Sequence, residues 1–572
     1  MPDDLTSLAG APSTGRQRRG GATALHHRES TSKRPRNSPA HRLPNEILVM
    51  IAQAFLLESA EEVEDVHADF SKPAALAVLG GVCRYWRECT VGTPALWRSI
   101  LVRDRPEWLD LCLERSQSLK LSIVFVKPSL FVASSDILFQ NIDRIQILAL
   151  CSASEAAHEL LDRLLDAPMP ALEELRVDSA NEEDCWFFGD KLSASPFLHT
   201  VCFSHAGLDW HSVGVQRLRS IKLNDWRNHD PNEHMPFADF LRCLGACRNL
   251  EELFLDYAFP CISVARQVKR ADPIPPISLP RMRFLSLIFP PLCTFFEAQS
   301  APNLYHFFAH INIPLTAEVE IYVQVDDDYR YVARDRGFPE YFRDYLPCDP
   351  ARLPILRAAT AATITPTYFR CAVDGADVGS LWLEIAHVGS RVDNRVPQYE
   401  RFLQDACALL KEAPIKRVHI SRVDASVEAW REFFKTFLAI EDLTIGRCGV
   451  NIREECMSAL EALSDPSGIA LKDLRVLKIE KMEWTSELAD AIAQALRVRS
   501  KEGATPLTGL RLRMYGLDRN SAESMAFHEA ALATLRSLVD GIVSYEDWKL
   551  SNLRGDCSEC STLSSATISD GD

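Results

Sequence analysis

One pattern recurs along most of this chain: an apolar residue, two variable residues, a second apolar residue, one variable residue and a third apolar residue. The alternation at the end of each unit is typical of a β-strand with one buried face. Amphipathic runs such as 237–247 and 402–411 precede several of these strands. The eleven clear units start at Ile145, Leu172, Leu198, Leu218, Leu250, Met282, Leu304, Ile415, Ile440, Leu474 and Leu507.

The spacing of these units constrains the fold. Their starts lie 20 to 34 residues apart, except for a gap of 111 residues between Leu304 and Ile415. A strand and a helix repeated at such intervals cannot bury their apolar faces alone, so neighbouring units must stack. Right-handed crossovers then place a parallel β-sheet on one side and helices on the other. We therefore predict an α/β solenoid over 103–550, with a series of unrelated α/β domains as the alternative.

The long gap is the least regular part of the predicted solenoid. Three segments in it alternate enough to be predicted strands, namely Val319–Val325, Ala362–Val373 and Leu381–Val388. We expect three or four further turns there. Because their phase cannot be assigned, 313–400 is predicted to be a degenerate part of the repeat.

Charge and cysteine content narrow the function classes. The net charge is −16, with +5 in 1–42 and −21 in the remainder, and an acidic body argues against a nucleic-acid partner. The longest apolar stretch, Ile47–Leu57, is too short to cross a bilayer, and no secretory signal is visible. The 17 scattered cysteines indicate reduced thiols. We therefore expect a cytoplasmic or nuclear protein that does not act at a membrane.

Both ends of the chain are polar. Residues 1–41 are predicted to be a disordered basic tail, in which Lys33–Arg36 is a candidate nuclear-import signal. Residues 551–572 are Ser-rich and are predicted to be a second disordered tail.

A short helical module is predicted between the basic tail and the solenoid, at 42–102. Within Ile47–Leu57 only Gln53 is polar, and a helix that is apolar on nearly all sides must be covered on nearly all sides. So small a module has too little material to enclose it, which predicts a protein partner. The alternative is a helical cap that seals the end of the solenoid.

Three motifs in this module occur in a telling order: Leu43-Pro44-Asn45-Glu46-Ile47-Leu48, Val82-Cys83-Arg84-Tyr85-Trp86-Arg87 and Thr93-Pro94-Ala95-Leu96-Trp97. Together they resemble the F-box family, in the form common among large fungal families. The acidic segment Glu58–Asp69 makes the spacing from Ile51 to Val82 longer than is usual in that family. The later units resemble degenerate leucine-rich repeats, since the Asn or Cys that normally follows the last apolar position occurs only as Asn312 and Cys448.

The resemblance implies a function. F-box proteins dock onto the adaptor subunit of a cullin-type (SCF) ubiquitin ligase, and their C-terminal domain holds a protein substrate. The adaptor-binding residues implied by the match are Leu43, Pro44, Ile47, Leu48, Ile51, Val82, Cys83, Trp86, Leu96 and Trp97. A scaffold that binds the adaptor without any role in ubiquitination is the alternative.

The substrate-binding positions follow from the resemblance to leucine-rich repeats, in which the variable strand residues point to the concave face. In the last four units these positions carry more Arg and Lys than Asp and Glu. An acidic or phosphorylated segment would suit such a surface, because Arg binds oxyanions bidentately. The predicted substrate-binding residues are Arg417, His419, Lys478, Arg511 and Arg513, unless these charges serve solubility alone.

The sequence contains no phosphate loop of the GxxxxGK[ST] type, no GxSxG and no HExxH motif. We therefore expect no catalysis, no cofactor and no metal. An enzyme with a site formed within 315–400 by residues distant in sequence is the remaining alternative.

Overall fold

The computed structural model describes 43–58, 73–179, 186–188, 190–224, 235, 237–257, 276–289, 300–326, 342–347, 349, 352–374, 378–388, 399–423, 425–446, 455–465 and 471–548. The predicted basic tail with its Lys33–Arg36 cluster, nearly all of the acidic segment Glu58–Asp69, and the C-terminal tail lie outside these residues.

The described residues begin with three helices, within the short helical module that the sequence predicts. They are α1 (Asn45–Glu58), α2 (Pro73–Val82) and α3 (Arg84–Gly92), followed by a 3-10 turn at Pro94–Trp97. Helix α1 starts one residue after Pro44, whose carbonyl accepts a hydrogen bond from the Leu48 amide at 3.2 Å. Proline suits this position because its missing N–H would have no partner inside the helix.

A seventeen-stranded sheet dominates the described part of the chain. Its strands are β1 (Ser99–Val102), β2 (Leu121–Phe125), β3 (Ile145–Ala153), β4 (Glu174–Ser179), β6 (Thr200–Ser204), β8 (Ser220–Asn224), β9 (Glu252–Asp256), β11 (Phe284–Phe289), β13 (Glu318–Asp326), β14 (Ala361–Ile364), β15 (Tyr368–Ala372), β16 (Ser380–Val388), β17 (Arg417–Ser421), β18 (Asp442–Gly446), β19 (Val476–Glu483), β20 (Gly509–Tyr515) and β21 (Ile542–Asp547). Two small parallel pairs lie beside it, β5 (Trp186–Phe188) with β7 (Ala206–Leu208) and β10 (Ile277–Ser278) with β12 (Ile311–Asn312).

The strands of the large sheet follow chain order from one edge to the other, with a single exception. Between β13 and β17 the order is β16, β15, β14, and β15 runs antiparallel to both of its neighbours. All other pairings are parallel, as stacked repeat units require. The predicted α/β solenoid with a parallel sheet is therefore present.

Helices connect many of the strands and pack on one face of the sheet. They are α4 (Pro106–Arg115), α5 (Pro128–Ala133), α6 (Ser135–Gln140), α7 (Glu155–Leu165), α8 (Phe237–Ala246), α9 (Ser300–His310), α10 (Phe342–Tyr345), α11 (Pro354–Ala358), α12 (Tyr399–Leu409), α13 (Val427–Thr436), α14 (Glu455–Leu463), α15 (Ser486–Lys501) and α16 (Ala522–Arg536). Short 3-10 turns occur at Ile142–Arg144, Asp190–Ala194 and Val215–Arg217.

The unit predicted to start at Leu304 is wrong, because it lies on helix α9 rather than on a strand. Leu304, Phe307 and Phe308 are all fully buried, and they recur at helical spacing. The first two also fit the strand pattern by coincidence, whereas the third position of the supposed unit, Ala309, is only half-buried. Helical periodicity explains three buried residues here and the strand pattern explains two.

The degenerate gap contains strands, although its connectivity differs from the prediction. Val319–Val325 and Leu381–Val388 fall on strands β13 and β16, whereas Ala362–Val373 is not one strand but the hairpin of β14 and β15. Pro366 interrupts this run, and the Tyr368 amide donates to the Thr365 hydroxyl at 2.9 Å across the turn. Proline cannot donate to a strand ladder, so the chain reverses there instead of adding another parallel turn.

The main core lies between the sheet and the helices. In each repeat the apolar strand residues point toward it; Leu255 and Leu287 are paired on adjacent parallel strands and fully buried, and Leu477 is 2% exposed. A smaller buried cluster of Leu101, Val124, Ala149 and Cys151 lies on the opposite face of the first three strands.

We call this opposite face the second face. One row of paired residues crosses it from strand β1 to β21 and defines it. The row consists of Leu101, Val124, Ala149, Arg176, Cys202, Lys222, Phe254, Ser286, Glu320, Trp382, Arg370, Thr363, His419, Thr444, Lys478, Arg511 and Ser544.

Truncating a core leucine should destabilise the solenoid. We expect Leu255→Ala to lower the free energy of unfolding by ~2–5 kcal/mol, because the cavity it leaves is closed on all sides. The matched control is Leu438→Ala, whose side chain is 59% exposed, and which should change that free energy by less than about 0.5 kcal/mol. Urea unfolding followed by circular dichroism measures both, and equal effects would contradict the packing described here.

Candidate functional site

Helix α1 divides its apolar residues between two faces. Leu48 and Ala52 are 3% and 4% exposed and pack into the module. Ile47, Met50 and Ile51 are 40%, 62% and 39% exposed, and their spacing places them on one face of the helix. The chain covers one side of this helix and leaves an aliphatic side bare.

The next two helices extend this bare surface. Leu76 and Leu79 of α2 are buried, whereas Val78 and Val82 are 58% and 54% exposed. Val91 of α3 is also exposed. The described part of the chain has fourteen exposed large apolar side chains, of which six belong to this module. Such a concentration marks an interaction surface rather than the usual scatter of single residues.

Hydrogen bonds fix the three helices to one another. The Tyr85 hydroxyl of α3 donates to the Leu43 carbonyl at 3.0 Å and lies 2.9 Å from the Asn45 Oδ1, beside the start of α1. The Arg87 Nε donates to the Gly80 carbonyl of α2 at 2.9 Å. These contacts hold the exposed side chains of the module in one arrangement before any partner binds.

Trp97 joins the module to the solenoid. Its indole N–H donates to the Thr90 carbonyl at 2.8 Å, which ties it to α3. On the solenoid side its ring lies 5.7 Å from the Trp108 ring, and the Arg115 guanidinium sits 4.3 Å from its ring centre. Leu79, Leu96 and Trp97 belong to the same buried cluster as residues of the first strands. The module therefore also covers the first end of the solenoid core.

The predicted adaptor-binding residues lie in three environments. Pro44, Ile47, Ile51 and Val82 are exposed; Leu43, Cys83 and Trp86 are half-buried; Leu48, Leu96 and Trp97 are buried within this chain. The last three therefore do not offer their side chains to the surface.

Sequence reasoning missed three exposed apolar residues of the module, Met50, Val78 and Val91. A signal for two of them was available. Met50 lies one helical turn after Ile47, and Val78 lies one turn before Val82, so each shares a helix face with a residue that the motif identified.

The predicted substrate-binding residues lie together on the second face, but their charge is largely neutralised. Arg417 pairs with Asp374. The Lys478 ammonium lies 2.7 Å from Asp442, and the Arg513 guanidinium makes hydrogen bonds of 3.2 and 3.3 Å with the Glu546 carboxylate. Arg511 is exposed and paired in register with Lys478, whose other neighbour in that row is Thr444. His419 lies one strand further, on the other side of Thr444.

The structure therefore corrects the expectation of a net positive patch, because three of its cations pair with carboxylates. Asp374 follows the hairpin and Glu546 lies on β21, two elements that the repeat pattern did not identify. A charge balance that counts only the strand positions of the last four repeat units therefore omits these two carboxylates.

Buried thiols in the described chain are poor nucleophiles. Desolvation raises the pKa of Cys112, Cys247 and Cys371 to about 12, so these thiols are protonated at neutral pH. Among the described residues, no group of three or more His, Cys, Asp or Glu is placed to hold a metal ion. Nor does any helix among those residues have the length and apolar character needed to span a membrane.

Comparison with known proteins adds one family. Residues 40–103 match the F-box-like family. No curated protein sequence matches the chain. One solved structure, described as the crystal structure of the TLR13–ssRNA13 complex, is 11% identical over 72% of this chain and 48% of that chain, with a TM-score of 0.29. The present chain thus spans about half the length of that one.

F-box domains bind the adaptor subunit of SCF ubiquitin ligases, and their presence supports a general role in ubiquitin-ligase substrate recognition. The motifs, the three tied helices and the family match all fall on the same stretch of sequence. The chain therefore carries an F-box-like domain at residues 40–103.

Proposed function

We propose that this chain is the substrate-recognition subunit of a cullin-type (SCF) ubiquitin ligase. The observation that carries the proposal is the bare aliphatic surface of the F-box-like domain, formed by Ile47, Met50, Ile51, Val78, Val82 and Val91. Removing such a surface from water favours association, and it suits an adaptor that offers an apolar groove.

In this proposal the ten motif residues have three different roles. Ile47, Ile51 and Val82 contact the adaptor, with Leu43, Pro44, Cys83 and Trp86 at the border of the interface. Leu48, Leu96 and Trp97 act from inside, because they hold the exposed side chains in place and connect them to the solenoid. A preorganised surface loses less conformational entropy on binding.

The chain itself performs no chemistry in this mechanism. The module fixes the chain to the ligase, and the solenoid holds a substrate protein close to the ubiquitin carrier. Tethering raises the local concentration of the substrate without any catalytic residue of this chain. The packing of Trp97 against Trp108 supports this mechanism, because a rigid junction defines where a bound substrate lies.

The substrate is proposed to bind the second face of the sheet. At the C-terminal end, Arg417, His419, Lys478, Arg511 and Arg513 are our candidates for contacts with acidic groups. Arg511 is the most available of them, since it is exposed and the other three cations already have carboxylate partners.

We also propose that the protein acts in the cytoplasm or the nucleus, with a protein substrate and without nucleic acid. The net charge of −16 supports the second point, because phosphate backbones would be repelled. Ten cysteines among the described residues form no disulfide, which suits a reducing compartment.

The docking surface can be tested by charge. We expect Ile47→Asp/Ile51→Asp to weaken adaptor binding more than 100-fold, because two carboxylates would enter an apolar interface uncompensated. Both side chains are about 40% exposed, so the variant should remain folded. Isothermal titration of the full chain with the adaptor measures the affinity.

The matched control for this variant is Leu438→Asp, an exposed leucine far from the module in sequence, which should bind the adaptor normally. Docking through this surface is excluded if the double variant is folded and binds like the parent. Proteins that the chain captures while the ligase is blocked are then tested for ubiquitin transfer in the reconstituted ligase. Transfer to a captured protein indicates a substrate receptor, and its absence indicates a scaffold without a role in ubiquitination.

The C-terminal surface is tested separately. We expect Arg511→Glu to lose binding of those captured proteins that carry acidic or phosphorylated segments, because it replaces the available cation by a carboxylate. Quantitative mass spectrometry of the captured proteins measures this loss, with Arg536→Glu on helix α16 as the exposed control. An unchanged set of captured proteins would exclude Arg511 and its neighbours from recognition.

A further inference from the structure

The middle of the second face differs chemically from its two ends. On strands β13, β16 and β15 two rows of side chains lie side by side. The first row pairs Glu320, Trp382 and Arg370, and the second pairs Tyr322, Glu384 and Tyr368. Adjacent strands are about 4.8 Å apart, so Glu384 lies between two tyrosines, one on each neighbouring strand.

The two carboxylates of these rows have no ion pair and no hydrogen bond among the described residues. This sets them apart from carboxylates elsewhere on the same face, such as Asp442 with Lys478 and Glu546 with Arg513. Both are half-buried, and desolvation raises the pKa of Glu320 and of Glu384. Arg370 partly offsets this effect at Glu320, whereas desolvation alone acts on Glu384. A half-buried carboxylate without a partner is costly, and a cation would remove that cost.

The surrounding charge favours a cation from outside. Across strands β9, β11, β13, β16 and β15 the described residues of the second face include one cation, Arg370. They include five carboxylates, those of Glu252, Asp256, Glu318, Glu320 and Glu384, of which Glu252 lies 3.7 Å from the Lys222 ammonium of the neighbouring strand β8. The middle of this face is therefore acidic, and it attracts positively charged partners.

Aromatic rings around the carboxylates add a second attraction for cations. The Arg370 guanidinium already lies over the Trp382 ring, 5.8 Å from its centre, so this surface holds a guanidinium from the chain itself. The Tyr368 and Trp382 ring centres are 6.4 Å apart. Glu384 has a tyrosine on each neighbouring strand, Tyr322 and Tyr368, and Glu320 has Trp382 on one neighbouring strand. Aromatic ring faces attract cations.

We propose that the patch formed by Glu320, Tyr322, Tyr368, Trp382 and Glu384 binds an Arg or Lys side chain of the substrate protein. The cation pairs with the Glu384 carboxylate and packs between the two tyrosine rings. The inference rests on the proposed function in that the second face holds the substrate. It adds a second recognised segment, a basic one at the middle of the face, beside the acidic contacts proposed for its C-terminal end.

The test uses the full chain and two fluorescein-labelled octapeptides, one of alternating Arg and Gly and one of alternating Glu and Gly. Fluorescence anisotropy should show binding of the Arg peptide and none of the Glu peptide. Glu384→Gln keeps the shape of the side chain and removes its charge, so the Arg peptide should bind about tenfold more weakly, or about 1.4 kcal/mol. Tyr322→Leu should also weaken binding, because it removes an aromatic ring and no charge.

The matched control is Glu480→Gln, the same substitution on the same face of strand β19, which should change the affinity less than twofold. Thermal melts and adaptor titration on the same samples show that each variant is folded and that docking is intact. Equal weakening by Glu384→Gln and Glu480→Gln would overturn the inference, as it would show only diffuse charge attraction. Failure of the parent to prefer the Arg peptide would overturn it as well.

Two further readouts keep the outcomes distinct. If Glu384→Gln changes the elution volume in size-exclusion chromatography, the patch is covered by a second copy of the chain, and the inference is wrong. If the Arg peptide fails to bind while the adaptor still binds the parent, this inference is lost and the docking proposal stands. If the parent binds the Arg peptide but not the adaptor, the docking proposal is lost and this inference stands.

Discussion

The lateral register of the parallel sheet is the constraint on which the rest of the structure depends. Leu253, Leu285, Val319 and Leu381 are paired in one line across four neighbouring strands, and all four face the helices. Side chains alternate along a strand, so a shift of one residue would exchange the two faces. The register that buries these residues therefore also aligns every residue of the second face.

This register makes the second face a continuous surface on which neighbours in space are remote in sequence. Trp382 meets Glu320 and Arg370 on either side, while Lys478 meets Arg511 more than thirty residues later in the chain. Whether a charged residue is available to a partner depends on these neighbours. Arg513 is neutralised because β21 brings Glu546 beside it, whereas Glu384 lies between two tyrosines and has no ion pair with any residue that the structure describes.

The first end of the solenoid shows how a docking module and a cap can be the same object. Trp97 donates to a carbonyl of the module while its ring packs against Trp108 of helix α4. Leu48 and Leu79 are buried on the inner side of the helices, whereas the valines and isoleucines on the outer side are exposed. A cap alone would be polar on its outer side, since nothing would cover it. The exposed aliphatic residues therefore fit the proposed docking role better than a role in capping alone.

The amino-acid sequence by itself determined the local elements. Strand alternation and helical periodicity are local properties, so ten of the eleven units, the three helices of the module and the buried leucines could be predicted from it. The tertiary structure decided what local patterns cannot carry. It reversed the chain at Pro366, so that β15 runs antiparallel, and it placed Leu304 and Phe307 on a helix. It also chose which carboxylates meet which cations, because ion pairing depends on the strands that the sheet sets side by side, and sequence distance does not reveal that.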